Sequence, residues 1–488
     1  MTKFSGFTRS AGLPSPFVSA MPIVFLLTAI AVILCTVGTD VITSYGSLAL
    51  LGAASVSLLL GRLTGHLNRA ALKAGMRKSA AQILPAVPLL LLIALIAATW
   101  MLSGVVPTLI HYGLQIINPV LFPLVCCLVT GMVAILTGSS WSSIATIGVA
   151  FMGIGEALGY SGALTAGAVI SGAYMGDKVS PLSDTTVVAS SACGVDIFKH
   201  VKYMLVTTVP AMIVTLGAYL AAGFIFHPDK AAGADAVIGG LHAIFNITPW
   251  LLIIPAVTGV LIALRLNTLL TLAISSVMGL AAIFIFQGNV IGLAGGATEI
   301  LRGLWSGTEL PADSAMISDL VSTSGVTGMF GTIFLILSAM TFGGTMMGTG
   351  MLASLTACLT RRLRRRTSTV GATVGSGLFL ICCTADQYLS LIVAGNMYRD
   401  HYDSIGLDPR LLSRTIEDSI TVTSPLVPWG SCGVTQSTVL SVPTLAYAPF
   451  AIFCWLSPLI TLLVARLGYR ITQAAPSELQ PALQPLKK

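Results

Sequence analysis

The 488-residue chain is 55% hydrophobic and 9% charged, with a mean hydropathy of +0.91. Soluble domains carry about 25% charged residues, so a soluble domain is excluded. The net charge of +7 has to be explained by position before any anionic partner is invoked.

The apolar runs are long enough for several bilayer crossings, each needing roughly 20 residues, and predict an all-α polytopic membrane protein. After an N-terminal tail (1–16), the first apolar run from Phe17 is too long for the h-region of a signal peptide and reads as a retained span, 17–38. Spans at 43–60 and 80–105 follow. The loop 61–79 between them carries Arg62, Arg69, Lys73, Arg77 and Lys78 without an acid, which assigns it to the cytoplasmic side. The uncharged 106–118 segment then lies outside. Residues 119–157 are apolar but interrupted by "LTGSSWSS" (136–143), and they read as a re-entrant hairpin rather than two crossings. A span at 161–195, broken at "YMGDKVSPLSDTT" (174–186), reaches the basic "DIFKHVKY" (196–203) inside, and 204–226 returns outward.

After an external connecting loop (227–248), spans at 249–264, 268–287 and 329–357 lead to "RRLRRR" (361–366), an inside marker. A second polar-interrupted segment, 368–398, holds "CTADQYLS" (383–390) and reads as an inward-opening hairpin. A full crossing there would swap the sides of the later loops. A broken span at 412–440, a final span at 446–467 and a cytoplasmic tail (468–488) close the chain. Of the 25 Lys and Arg, only Lys230 and Arg302 fall outside and Lys178 within the membrane. The acids Glu299, Glu309, Asp313 and Asp319 fall on the outer 288–328 loop. The basic excess is therefore a topology signal, and nucleic acid is not an expected partner. Residues 17–226 and 249–467 read as two inverted-topology repeats, each about five transmembrane helices plus one hairpin, the arrangement of secondary transporters. Ser180-Pro181-Leu182 and Ser424-Pro425-Leu426 are the main sequence echo between them.

Chemistry concentrates at the interruptions. Ionised Asp or Lys in mid-membrane costs about 2.5–3.5 kcal/mol each, and Asp177, Lys178 and Asp184 lie within one short stretch. Pro181 removes a backbone donor and disfavours helix at Ser180. The freed carbonyls, the two carboxylates and the hydroxyls of Ser180, Ser183, Thr185 and Thr186 form an oxygen-rich cage suited to a hard cation. For Lys178 one reading is that it tunes or occupies this site when no cation is present; the other is a structural Asp–Lys pair fastening two helices, and its adjacency to Asp177 suggests local neutralisation. In the second half Glu417, Asp418, Thr421 and Ser424 form a weaker set, with interfacial salt bridging to Arg414 as the competing reading. Asp386 sits at the second hairpin tip with no base nearby in sequence, and Ser139 and Ser140 offer neutral oxygens at the first. Glu156 reads as interfacial. The nine cysteines read as small hydrophobes. The six histidines fall at predicted loops or span ends and suggest neither a metal cluster nor a buried relay. The glycines of "GVAFMGIGEALG" (148–159) suit close helix contact.

"TGSSWSSIATIGVAFMGIG" (137–155), "GAYMGDKVSPLSDTTVVAS" (172–190) and "DIFKHVKYMLVTTVP" (196–210) resemble the bacterial NhaC-type sodium/proton antiporters. So do "ADQYLSLIVAGNMYRDHY" (385–402) and "EDSITVTSPLVPWGSCG" (417–433). The chain departs from the family form at "TTVVASS", where "TTNLAP" is expected. The resemblance implies exchange of Na+ or Li+ for H+ across the bacterial inner membrane, and loop charge places both termini in the cytoplasm. Burial favours a carboxylate's protonated form and Na+ its ionised form, so a carboxylate site binds one or the other. Asp177 and Asp184 are the expected Na+ and H+ ligands, Asp386 a partner, and Ser139, Ser140, Ser183 and Thr185 neutral ligands. Lys178, Ser180, Glu417, Asp418, Thr421 and Ser424 form a second tier. No cofactor is expected beyond the transported Na+ and H+, and a homodimer is left open. A Na+- or H+-coupled carrier of a small organic anion or amino acid is the rival reading. Adjacent hydroxyls and carboxylates do not make a nucleophile–base pair, which argues against an enzyme. No Walker lysine follows a glycine loop, which argues against ATP-driven transport.

Overall fold

A computed structural model describes residues 12–37, 42–84, 86–226, 232–264, 266–308, 310–311, 315–360 and 365–470. Lys3, Arg9, Lys230, Arg265, Glu309, Asp313, most of 361–366 and the residues after Arg470 lie outside the described residues, as do the sidedness assignments resting on them. The described chain is almost wholly helical; its sole extended pairing is an isolated bridge between Thr308 and Thr323. Seven described helices are long and apolar enough to cross a membrane. Three further helix pairs qualify as bent spans, with bends of 67°, 93° and 55°.

Several segments expected as loops are helical. Asn68 caps Arg69–Ile83, accepting from the Ala70 N–H at 2.9 Å. Val105–Ile116 continues Ala86–Leu102 after the 67° bend. Ala232–Ile244 occupies the connecting loop, and Gly288–Leu293, Ala297–Ser306 and Ala315–Val321 occupy the acidic one. The reason is physical: excess charge or low hydropathy marks where a segment sits relative to lipid, whereas helix formation needs only capping and one apolar face.

Two of the bends share a joint. Gln287, fully buried, donates from Nε2 to the Ser103 carbonyl (2.9 Å) and accepts the Asn246 N–H at Oε1 (2.9 Å). It thereby satisfies backbone groups freed where each pair changes direction.

The chain also reverses twice in tight hairpins. Phe122–Thr137 turns at Gly138 into a helix running from Ser140 to Ala157, with a π-helical stretch at Ile144–Gly148. Phe122 ends against Phe151 and Tyr160, closing this first hairpin. Arg366–Thr384 turns at Ala385 into Gln387–Ser404. Behind each hairpin lies an interrupted helix. Gly162–Val179 gives way at 180–183 and resumes as Asp184–Cys193. Pro409–Ile416 widens into a π turn at Glu417–Thr421, breaks after Ser424–Leu426 and resumes as Ser431–Leu440.

Small residues set the closest contact. Cβ atoms added at Gly172 and Gly176 would collide with the carbonyl oxygens of Cys127 and Gly131. Gly162–Val179 therefore packs backbone to backbone on Phe122–Thr137, a small-xxx-small contact. The "GVAFMGIGEALG" glycines act similarly, Gly153 against Ile110 and Gly155 against Thr165.

Candidate functional site

The site begins at the first break. Without an N–H at Pro181, the last turn of Gly162–Val179 has carbonyls to spare. Thr186 Oγ1 donates to the Lys178 carbonyl at 3.2 Å, and Ser180 Oγ donates to the Ile135 carbonyl in the first hairpin at 2.8 Å. Asp177, only 4% exposed, accepts from Ser140 Oγ at 2.7 Å. The Ser140 N–H and Ser183 Oγ also face that carboxylate, and Ser183 Oγ lies 2.9 Å from Thr185 Oγ1.

The two hairpin tips are built alike. Thr137 and Thr384 each donate to a carbonyl two residues on, that of Ser139 (3.2 Å) and that of Asp386 (3.0 Å). Each hydroxyl accepts the N–H of the same residue, at 3.1 and 3.2 Å. Each also bonds a serine six residues on, Ser143 (3.1 Å) and Ser390 (2.7 Å). Gly138 and Ala385 take left-handed backbone at φ 65° and 55°. Ser139 and Asp386 then cap the following helices, accepting from the N–H groups of Ser142 (3.3 Å) and Leu389 (2.7 Å). Each tip abuts the break behind it. A Cβ at Gly138 would lie 2.7 Å from Leu182 backbone, and Ser431 N–H donates to the Ala385 carbonyl at 2.9 Å. The pattern Thr-x-(Ser/Asp)-x-x-x-Ser was legible as an internal match between 137–143 and 384–390, beyond the Ser-Pro-Leu echo.

The two broken helices also join each other. Lys178 forms a salt bridge with Asp418, both fully buried. Asp418 Oδ1 accepts in addition from Ser457 Oγ (2.9 Å), and Oδ2 from Thr207 Oγ1 (2.9 Å) and Thr461 Oγ1 (2.5 Å). Lys178 thus neither neutralises Asp177 nor stands free; it fastens two helices. Asp418 does not bridge to Arg414, because the salt bridge reaches it from across the fold, beyond what sequence adjacency reveals. Glu417 is fully buried and likewise makes no ion pair with Arg414, whose guanidinium carbon lies 4.5 Å from the Tyr203 ring centre. The interfacial reading of both acids fails. His200, at the start of Ile197–Ile225, is fully buried, with Nδ1 2.8 Å from Ser413 Oγ. Proximity to a helix end does not reveal that burial.

The remaining expected residues divide. Asp386 is buried, but Oδ1 is engaged in capping. Ser139 is likewise a cap, and it is Ser140 that touches Asp177. Asp184 is exposed and lines a cleft of about 320 Å³ with Thr137, Ser142, Asn267 and Thr271. It lies within electrostatic range of Asp177 without sharing its burial. Ser424 Oγ approaches Gln387 Oε1 at 3.3 Å. Glu156 is exposed in a separate cleft of about 440 Å³ beside Tyr160, Ser441 and 322–325. Sequence reasoning missed Tyr388, within electrostatic range of Asp177, Asp184 and Asp386. Its signal was an aromatic phenol two residues past the second tip's acid.

Interrupted helices meeting hairpin tips over buried carboxylates, in a chain with this many apolar helices, define a multi-pass helical membrane transporter. Residues 12–196 and 172–469 match the Na+/H+ antiporter family. The chain belongs to that family, among its NhaC-type members, and is an antiporter. It is 35% identical to the Na+/H+ antiporter NhaC of Alkalihalophilus pseudofirmus over 78% of this chain and 81% of that one. It is 33% identical to a malate-2H+/Na+-lactate antiporter of Bacillus subtilis, over 77% and 78% respectively. An arginine/ornithine antiporter, ArcD of Halobacterium salinarum, is 30% identical over 95% and 94%.

Proposed function

We propose that this chain exchanges Na+, and also Li+, for H+ across the bacterial inner membrane by alternating access at a site centred on Asp177. The observation that carries the reading is a carboxylate excluded from water, seated at a helix break and held by a hydroxyl of a hairpin tip. Its oxygens, with Ser140, Ser183 and Thr185, offer the hard donors a small cation needs. A proton on Asp177 and a Na+ beside it each remove the buried charge, and either loaded form can move. Asp184 at the cleft mouth receives the cation from water, while Asp386 and Tyr388 face the site from the opposite tip. The bonding shared by the two tips supports two inverted repeats. The basic residues Lys199, Arg399, Arg410 and Arg466 support cytoplasmic termini.

A second reading, coupled exchange of a small organic anion or amino acid, is favoured by the two relatives named for malate, lactate, arginine and ornithine. Everted vesicles carrying the chain separate the two. The first reading predicts that Na+ or Li+ alone collapses an imposed pH gradient and K+ does not. Exchange that requires one of those organic solutes contradicts it.

A further inference from the structure

Glu417 opens the π turn Glu417–Thr421, where the backbone is wider than in an α-helix. Its side chain is fully buried, and neither carboxylate oxygen has a hydrogen-bond partner. Thr421 Oγ1, on the same turn, is also buried without a partner. Across from them stands Thr185 of the first broken helix. Both threonine hydroxyls approach the carboxylate without reaching hydrogen-bonding geometry. Asp177 and Lys178 lie within electrostatic range.

The nearby cations do not fill this gap. Lys178 is held by Asp418 and Ser457. Arg414, three residues before Glu417, is stacked on Tyr203, and none of its guanidinium nitrogens has a hydrogen-bond partner. Lys178 offsets Asp418 and Arg410 pairs with Asp408, which leaves Asp177, Asp386 and Glu417 as the buried carboxylates without an ion pair among the described residues. A buried carboxylate is paired, protonated or ion-bound, and at alkaline pH, where the proton is lost, the unpartnered oxygens of Glu417 are hard donors free to meet a cation.

We propose that Glu417 and Thr421, with Thr185 shared between the two sites, form a second monovalent-cation site beside the one at Asp177, so that the carrier binds two Na+ per chain. This rests on the reading of the chain as a Na+ carrier. The donors are one carboxylate and two hydroxyls, hard oxygens contributed by both broken helices. Loading the site therefore adds a second tie between the two helices beside the Lys178–Asp418 bridge.

The test is equilibrium binding of radioactive Na+ to the purified full chain in detergent at alkaline pH. Two Na+ per chain are expected for the wild type, and one each for Glu417→Gln and Asp177→Asn. Thr421→Val keeps both sites but weakens one by about ten-fold, as loss of an oxygen facing a charge predicts. It also carries the test should Glu417→Gln not fold. One Na+ in the wild type, unchanged by Glu417→Gln or Thr421→Val, overturns the second site and leaves the first standing. Loss of all binding in either carboxylate variant overturns the claim of separate sites. No Na+ bound by the wild type overturns this inference together with the reading on which it rests.

Discussion

Lys178 shows what a single residue type can and cannot announce. A lysine in a run of small apolar side chains declares that a charge is buried, because insertion penalties forbid it otherwise. Its partner could not be read, since Asp418 lies far along the chain and adjacent Asp177 is the obvious candidate. Asp418 receives Lys178, Thr207, Ser457 and Thr461, leaving little capacity for a transported ion. This bridge is structural. Lys178→Met or Asp418→Asn alone should lower stability by about 3–5 kcal/mol, because each strands the other charge. The double variant Lys178→Met/Asp418→Leu should recover most of that loss. Thermal unfolding of the purified protein in detergent measures both; equal losses in the double and the singles would contradict the pairing.

Among the elements, the breaks were the most legible, because a proline with clustered hydroxyls interrupts the hydrogen-bond ladder of an otherwise apolar helix. Pro181 and Pro425 mark them directly. The turns at Gly138 and Ala385 followed from the polar interruptions, whereas the arms Pro119–Thr137 and Arg366–Thr384 are each long and apolar enough to cross a membrane by themselves. The π turn at Glu417–Thr421 was not legible: it changes hydrogen-bond register without any residue that demands it. Nor were the helices within expected loops, where excess charge suggests coil. Glycine spacing was readable in kind but not in partner. Gly172 and Gly176 let one helix lie on the backbone of another, so Gly176→Leu should separate Gly162–Val179 from the first hairpin and move Asp177 away from Ser140. The expected outcome is loss of folded, monodisperse protein on size-exclusion chromatography, beyond the roughly 1–3 kcal/mol of ordinary overpacking. Gly217→Leu, at a position with open space around it, is the control that should stay folded.

For the whole molecule, the arrangement of clefts matters more than any one contact. Asp177 is nearly closed off from solvent, with Asp184 in one cleft and Glu156 in another, the two sharing only the 140–157 helix. On the proposed alternating-access reading, a carboxylate in that position meets bulk water when the surrounding helices shift, and that is the condition for exchange rather than leak. Such enclosure is invisible to hydropathy, which placed Asp177 and Asp184 in one buried cluster when only the first is buried. The most direct test is the Na+ concentration for half-maximal exchange in proteoliposomes, followed across pH for the wild type and Asp177→Asn. Competition between Na+ and H+ for one carboxylate predicts that this concentration rises as pH falls, approaching about ten-fold per unit once the site is mostly protonated. Asp177→Asn should show no exchange at any pH. A half-saturating Na+ concentration independent of pH, or exchange at wild-type rates in Asp177→Asn, would contradict the account.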